Sequence, residues 1–160
     1  MKRIVLILLV IFGLGISAQA QSFSFGVGLG FFNQNSNGDL SVSVPLEIGL
    51  INFSDVGISV RAEVGIVFSQ KPALTALISP LVSYTLTSVS FLPITFYAGP
   101  TVRLFVQNVF EDSRSSSWSF LGGLAGISVS VLGFLRVFVE ASLNITASTP
   151  AFSVQAGLRF

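Results

Sequence analysis

From Ser22 to Phe160 the chain alternates apolar with small or polar residues, and no apolar run after residue 16 approaches the ~20 residues that a spanning helix needs. Period two is the signature of a strand, because successive side chains point to opposite faces of a sheet. The alternation runs through eight predicted segments: Ser22–Phe32, Leu40–Ile51, Val56–Ser69, Thr75–Leu86, Ile94–Gln107, Ser119–Val131, Leu135–Thr146 and Ala151–Phe160. Each is long enough for a tilted membrane strand of ~9–11 residues. The connectors carry turn chemistry, as in NQNSNGD, NFSD, QKPAL and ASTP. No helical period follows the first twenty residues, and no linker divides the chain.

The two faces of each segment differ in kind. The first offers Phe23, Phe25, Val27, Leu29 and Phe31 on one side and Ser22, Ser24, Gly26, Gly28 and Gly30 on the other. Every charge inside a predicted strand (Glu47, Arg61, Glu63, Arg103, Arg136, Glu140 and Arg159) lies on the polar parity. A one-residue slip would reverse this, so the register is specified. Composition decides which face meets what. Charged residues make up 9% of the chain, against roughly 25% in soluble domains, and hydrophobic residues 51%. That is too little charge for a solvated outer face. A lipid-embedded chain without long apolar runs must close its sheet on itself, so that every backbone group is paired. The expectation is an all-β protein, an eight-stranded antiparallel up-and-down transmembrane β-barrel with an apolar exterior and polar lumen. A charge on the lipid face would cost about 2–4 kcal/mol at midplane, so the charges belong inside. A soluble β-barrel that binds an apolar ligand is the alternative pattern.

Three places disturb the alternation. Trp118 and Phe120 share parity with Gly122 and Gly126, and a bulge at Gly122-Gly123 would return both aromatics to the apolar face. Pro80 and Pro100 fall inside strands, where local bulges are expected.

Residues 1–20 read as an export signal. Lys2 and Arg3 form the basic start, Ile4 to Ile16 the apolar stretch, and Ala18-Gln19-Ala20 the small residues before a cleavage site. The expected domains are therefore a leader at 1–20 and a barrel at 21–160. Removing Lys2 and Arg3 leaves 6 Lys+Arg against 7 Asp+Glu, a balance with no attraction for nucleic acid.

The last strand ends in Phe160, preceded at every second position by Leu158, Ala156, Val154 and Phe152. Together with the leader and the alternation, this resembles the small bacterial outer-membrane barrels of the OmpA transmembrane-domain and OmpX type. The resemblance implies location in the outer membrane, contact with its lipid, and reading of the terminal strand by the barrel-assembly machinery. It also implies both termini in the periplasm. Connectors are shorter here than is usual in that family, which argues against loop-based adhesion.

Chemistry is sparse. The chain has no Cys and no His, which excludes thiolate sites, disulfides and any Ser-His arrangement. No cofactor or metal is expected. Glu47, Glu63 and Glu140 offer carboxylates, but they share the lumen with Arg61, Arg103, Arg136 and Arg159. Buried charges must pair, and Arg suits bidentate pairing, so the set reads as a salt-bridged plug ahead of a catalytic pair. The run Gly26-Val27-Gly28-Leu29-Gly30 lacks the spacing of a phosphate loop and puts a glycine stripe on the lumen side. The functional expectation is a non-enzymatic envelope protein with a plugged lumen and a structural or interaction role. A small pore for small or hydrophobic solutes, with that stripe as its wall, is the alternative.

Overall fold

The computed structural model describes residues 22–33, 38–87, 92–110, 115–145 and 150–160. Residues 1–20, where the leader with Ala18 and Ala20 is expected, lie outside them. Ten strands are formed: β1 (Ser22–Asn33), β2 (Gly38–Phe53), β3 (Val56–Phe68), β4 (Ala73–Leu86), β5 (Ile94–Pro100), β6 (Val102–Gln107), β7 (Ser115–Ser119), β8 (Leu121–Leu132), β9 (Leu135–Ile145) and β10 (Pro150–Arg159). They build eight staves, because β5 continues into β6 and β7 into β8. Neighbouring staves pair antiparallel in chain order. β10 pairs with β1, with Gly28 opposite Gly157, and this closes the barrel. Closure removes both sheet edges, as lipid demands. Among the described residues there is no helix.

The barrel is apolar outside and polar inside. Phe23, Phe25, Val27, Leu29 and Phe31 are 48–65% exposed, whereas Arg61 is 0% and Arg103 and Glu140 are 3% exposed. In water each such Phe would forfeit about 1.5–3 kcal/mol of burial, so this exterior is built for hydrocarbon and the soluble alternative falls. Aromatic side chains mark both ends of the apolar band. Phe25 and Phe160 meet at 5.6 Å at the end where β1 starts and β10 finishes, here called the terminal end. Trp118 and Phe120 stack at 5.9 Å toward the opposite, loop end.

The irregular places fall differently from the sequence expectation. Gly122 and Gly123 sit in regular register with Asn144 and Leu143, so no bulge occurs there. The extra residue is Phe120. Ser119 is paired with Arg103 and points inward at 1% exposure, while Phe120 and Leu121 are 75% and 66% exposed. One inserted residue reverses the parity and keeps both Trp118 and Phe120 outside. Nor do bulges form at the prolines. Val82 pairs with Ala98 and Ile78 with Val102, an unchanged register that sets Pro80 opposite Pro100. Neither has an N–H, so the ladder is interrupted at that level. The Ser79 hydroxyl donates to the Pro100 carbonyl at 2.8 Å, and Thr101 N–H turns to the Gly122 carbonyl at 3.0 Å.

The core occupies the lumen. At the loop end Phe32, Val67, Ala73, Phe105 and Ala151 form an apolar cluster, with the Phe32 and Phe105 rings 5.3 Å apart. A second cluster joins Leu77, Leu81, Tyr97 and Leu124. The charged residues fill the remaining interior.

Candidate functional site

Alternation alone carries the charges inward, and closure brings residues distant in sequence together. Arg61 of β3 reaches Glu140 of β9 through Nη1 and Glu47 of β2 through Nη2 at 3.3 Å. Arg159 of β10 donates from Nη1 to Glu47 at 2.9 Å, and its Nη2 lies 3.9 Å from Glu140. Two arginines thus interleave with two carboxylates across the barrel. Guanidinium groups suit this because their planar fork can serve two acceptors at once.

Uncharged neighbours complete the plug. Tyr97 donates its hydroxyl to Glu140 at 2.8 Å, and Gln155 donates its amide to Glu63 at 2.9 Å and also to Glu140. Ser59 donates to Glu47 at 2.8 Å, and Ser43 to the Gln155 carbonyl at 2.6 Å. The Tyr97 ring lies under both guanidinium groups, 4.9 Å from Arg61 and 5.3 Å from Arg159. Phe138 supports Arg159 from another side at 5.0 Å. Desolvated cation–π contacts of this kind are worth about 2 kcal/mol.

Arg103 has a separate setting. It donates to Ser142 at 2.9 Å and its guanidinium lies 5.7 Å from the Phe32 ring and 5.8 Å from Phe105. It therefore caps the apolar cluster of the loop end. Glu63, which the sequence places in the same network, meets Gln155 there and forms no ion pair within 4 Å among the described residues. Arg136 stands apart. It is exposed at the terminal mouth and pairs with no carboxylate among the described residues. Six of the seven strand charges are thus enclosed, three carboxylates against three guanidinium groups, and Arg136 is surplus.

The glycine stripe is covered. A Cβ at Gly126 would stand 2.5 Å from Tyr97 Cζ, and one at Gly157 would stand 2.7 Å from Phe138 Cζ. Within the stripe predicted on β1, Gly28 faces Ser43 and Gln155. At Gly126 the plug side chains leave no room for a Cβ, and at Gly157 both Phe138 and the Val27 carbonyl of the neighbouring strand crowd it. Tyr97, Gln155 and Asn144 share the polar parity of the strand charges, and Phe32 and Phe138 lie on the same lumen face. Their shared parity with Gly30 and Arg136 was the available signal.

Below the plug the lumen opens. At the terminal end a cavity of about 290 Å³ is lined by Arg136, Arg159, Glu47, Tyr97 and a ring of Ser and Thr hydroxyls. Toward the loop end a space of about 10 Å³ lies beside Phe32, Glu63 and Arg103. Among the described residues no group of His, Cys, Asp and Glu is arranged to hold a metal. Phe152, Val154, Ala156, Leu158 and Phe160 all lie on the exterior of the closing stave.

No family model and no curated protein sequence matches the chain. Solved structures do. Neisserial surface protein A aligns over 86% of this chain and 94% of its own at 14% identity, with a TM-score of 0.62. The outer membrane enzyme PagL aligns over 84% and 98% at 11% identity, with a TM-score of 0.62. Ail, the attachment invasion locus protein of Yersinia pestis, aligns over 87% and 97% at 12% identity, with a TM-score of 0.52. The common property is the closed eight-stranded barrel of bacterial outer-membrane proteins, and this chain has that fold. One neighbour is named an enzyme and another an attachment protein, so the architecture alone does not select a function.

Proposed function

We propose that the chain is an integral outer-membrane protein whose barrel is sealed by a salt-bridged plug, with a structural or interaction role at the envelope and no catalytic activity. The observation that carries this reading is the quartet of buried Arg61, Glu140 and Arg159 with half-buried Glu47. Eight staves leave an interior that side chains can fill, and here guanidinium groups and aromatic rings fill it. Along the glycine stripe that favoured a pore, Gly28 and Gly30 face Gln155 and Gly157 faces Phe138. The absence of His, with Glu47 and Glu140 committed to guanidinium groups, supports a non-enzymatic role.

In this reading residues 1–20 are removed on export, cleavage following Ala20. The terminal end faces the periplasm. The outward row of Phe152, Val154, Ala156, Leu158 and Phe160 serves as the strand read by the barrel-assembly machinery.

The test is conductance of the refolded chain from Gln21 in a planar bilayer. The native barrel is expected to stay closed, and Arg103→Ala and Glu140→Ala to open transiently. Steady openings of the native protein would instead make it a small pore.

A further inference from the structure

Arg136 and Arg159 are direct cross-strand partners on β9 and β10. Like charges placed opposite each other destabilise a sheet unless something lies between them. Arg159 is 3% exposed and spends one nitrogen on Glu47, yet its Nε and Nη2 have no hydrogen-bond partner. A buried guanidinium with unmet donors costs about 1–3 kcal/mol or more. Arg136, beside it, has no anionic partner among the described residues. Both line the cavity of about 290 Å³ at the terminal mouth. Hydroxyls of Ser59, Ser83, Thr95 and Ser128 face the same space. Glu47 also borders it, but Arg61, Arg159 and Ser59 already hold that carboxylate. Asp55 is the other carboxylate on the wall and belongs to the β2–β3 turn, away from β9.

An adjoining depression of about 250 Å³ shares Arg136, Arg159, Glu47 and Gly49 with the cavity, and is also lined by Phe23, Phe134 and Phe160. These three rings are 61%, 69% and 44% exposed on the outside of the barrel. The arginine pair therefore adjoins both a hydroxyl-lined cup and an apolar rim at the end of the apolar band.

We propose that Arg136 and Arg159 form a binding site for a phosphate group at the terminal mouth. Two guanidinium forks offer the bidentate geometry that phosphate oxygens accept, and the hydroxyls of Ser83 and Ser128 on the cavity wall supply further donors. The Phe23, Phe134 and Phe160 rim favours a phosphate carried on a lipid, its chain lying along the rim. Such a ligand would place negative charge between two cations that otherwise repel. The site is independent of whether the plug conducts.

The test uses the folded chain in uncharged maltoside micelles, followed by native mass spectrometry. It is titrated separately with inorganic phosphate and with dihexanoyl phosphatidic acid. The expected result is a one-to-one complex with the lipid, weakened about ten-fold or more in Arg136→Gln, as loss of a charge-assisted pair implies. Arg136 is exposed, so this variant keeps the fold, which heat-modifiable gel migration checks. Lys71→Gln removes the same unit of charge at the loop end and should leave binding unchanged. Arg136→Lys should fall between. Equal affinity for inorganic phosphate and lipid would keep the site and remove the rim from it. Absence of binding to either probe, or equal weakening by Arg136→Gln and Lys71→Gln, would overturn the proposal.

Discussion

The tip of the Tyr97 ring lies against Gly126, so close that a Cβ on the glycine would stand 2.5 Å from Tyr97 Cζ. The same tyrosine donates to Glu140 and carries two guanidinium groups on its face. One missing methyl group on the wall therefore sets the position of the whole plug. Gly126→Val should push Tyr97 off Glu140 and destabilise the barrel by about 1–3 kcal/mol, the usual cost of overpacking. Urea unfolding in micelles measures this, and wild-type stability would show that the ring has another place to go.

Glu140 is the acceptor on which Arg61, Tyr97 and Gln155 converge. Glu140→Gln leaves Arg61 and Arg159 to share Glu47, a buried excess of positive charge. The expected loss is about 3–5 kcal/mol, as for breaking a buried pair from one side. Arg61→Met combined with Glu140→Leu should lose less than Glu140→Gln alone. A double variant weaker than the single would show that the pair itself stabilises the barrel.

Phe120 is an inserted residue, and removing it should restore a single regular stave. Ser119 would then precede Leu121 with alternation intact, and Trp118 would stay outside. Deletion of Phe120 should thus give a barrel that still shifts on a heat-modifiable gel. Deletion of Phe96 would turn Tyr97 to the lipid side and should abolish that shift. Loss of folding in both would mean that the bulge is needed for closure.

Phe32 and Phe105 pack together toward the loop end, with Arg103 beneath them. Phe32→Ala should cost about 3–5 kcal/mol by leaving a cavity. It should also raise channel activity more than an equally destabilising exterior change such as Leu29→Ala. Planar-bilayer recordings of the two variants decide this.

Parity made most of this arrangement readable in the sequence. The alternation of Arg61, Glu63, Arg103, Glu140 and Arg159 with apolar neighbours placed each inside before any pairing was known. It did not report height along the barrel axis, which depends on register between staves. Hence Arg136 read as one more plug residue although it stands at the mouth, and Glu63 as an ion-pair partner although it meets Gln155. The bulge was expected at Gly122-Gly123 because glycine favours irregular backbone. It formed at Phe120, where an extra exposed aromatic costs nothing in lipid. Tyr97 and Phe138 carried no charge to mark them, although they share the parity of Arg103 and Arg136.

Pro80 opposite Pro100 has a mechanical consequence. Hydrogen-bonded rungs resist separation of the staves, and between β4 and its partner one rung is missing from both sides at once. The Ser79 hydroxyl is the rivet that spans this gap. Under load that line resists tearing less than an unbroken ladder, and Leu77 and Leu81 lie just behind it.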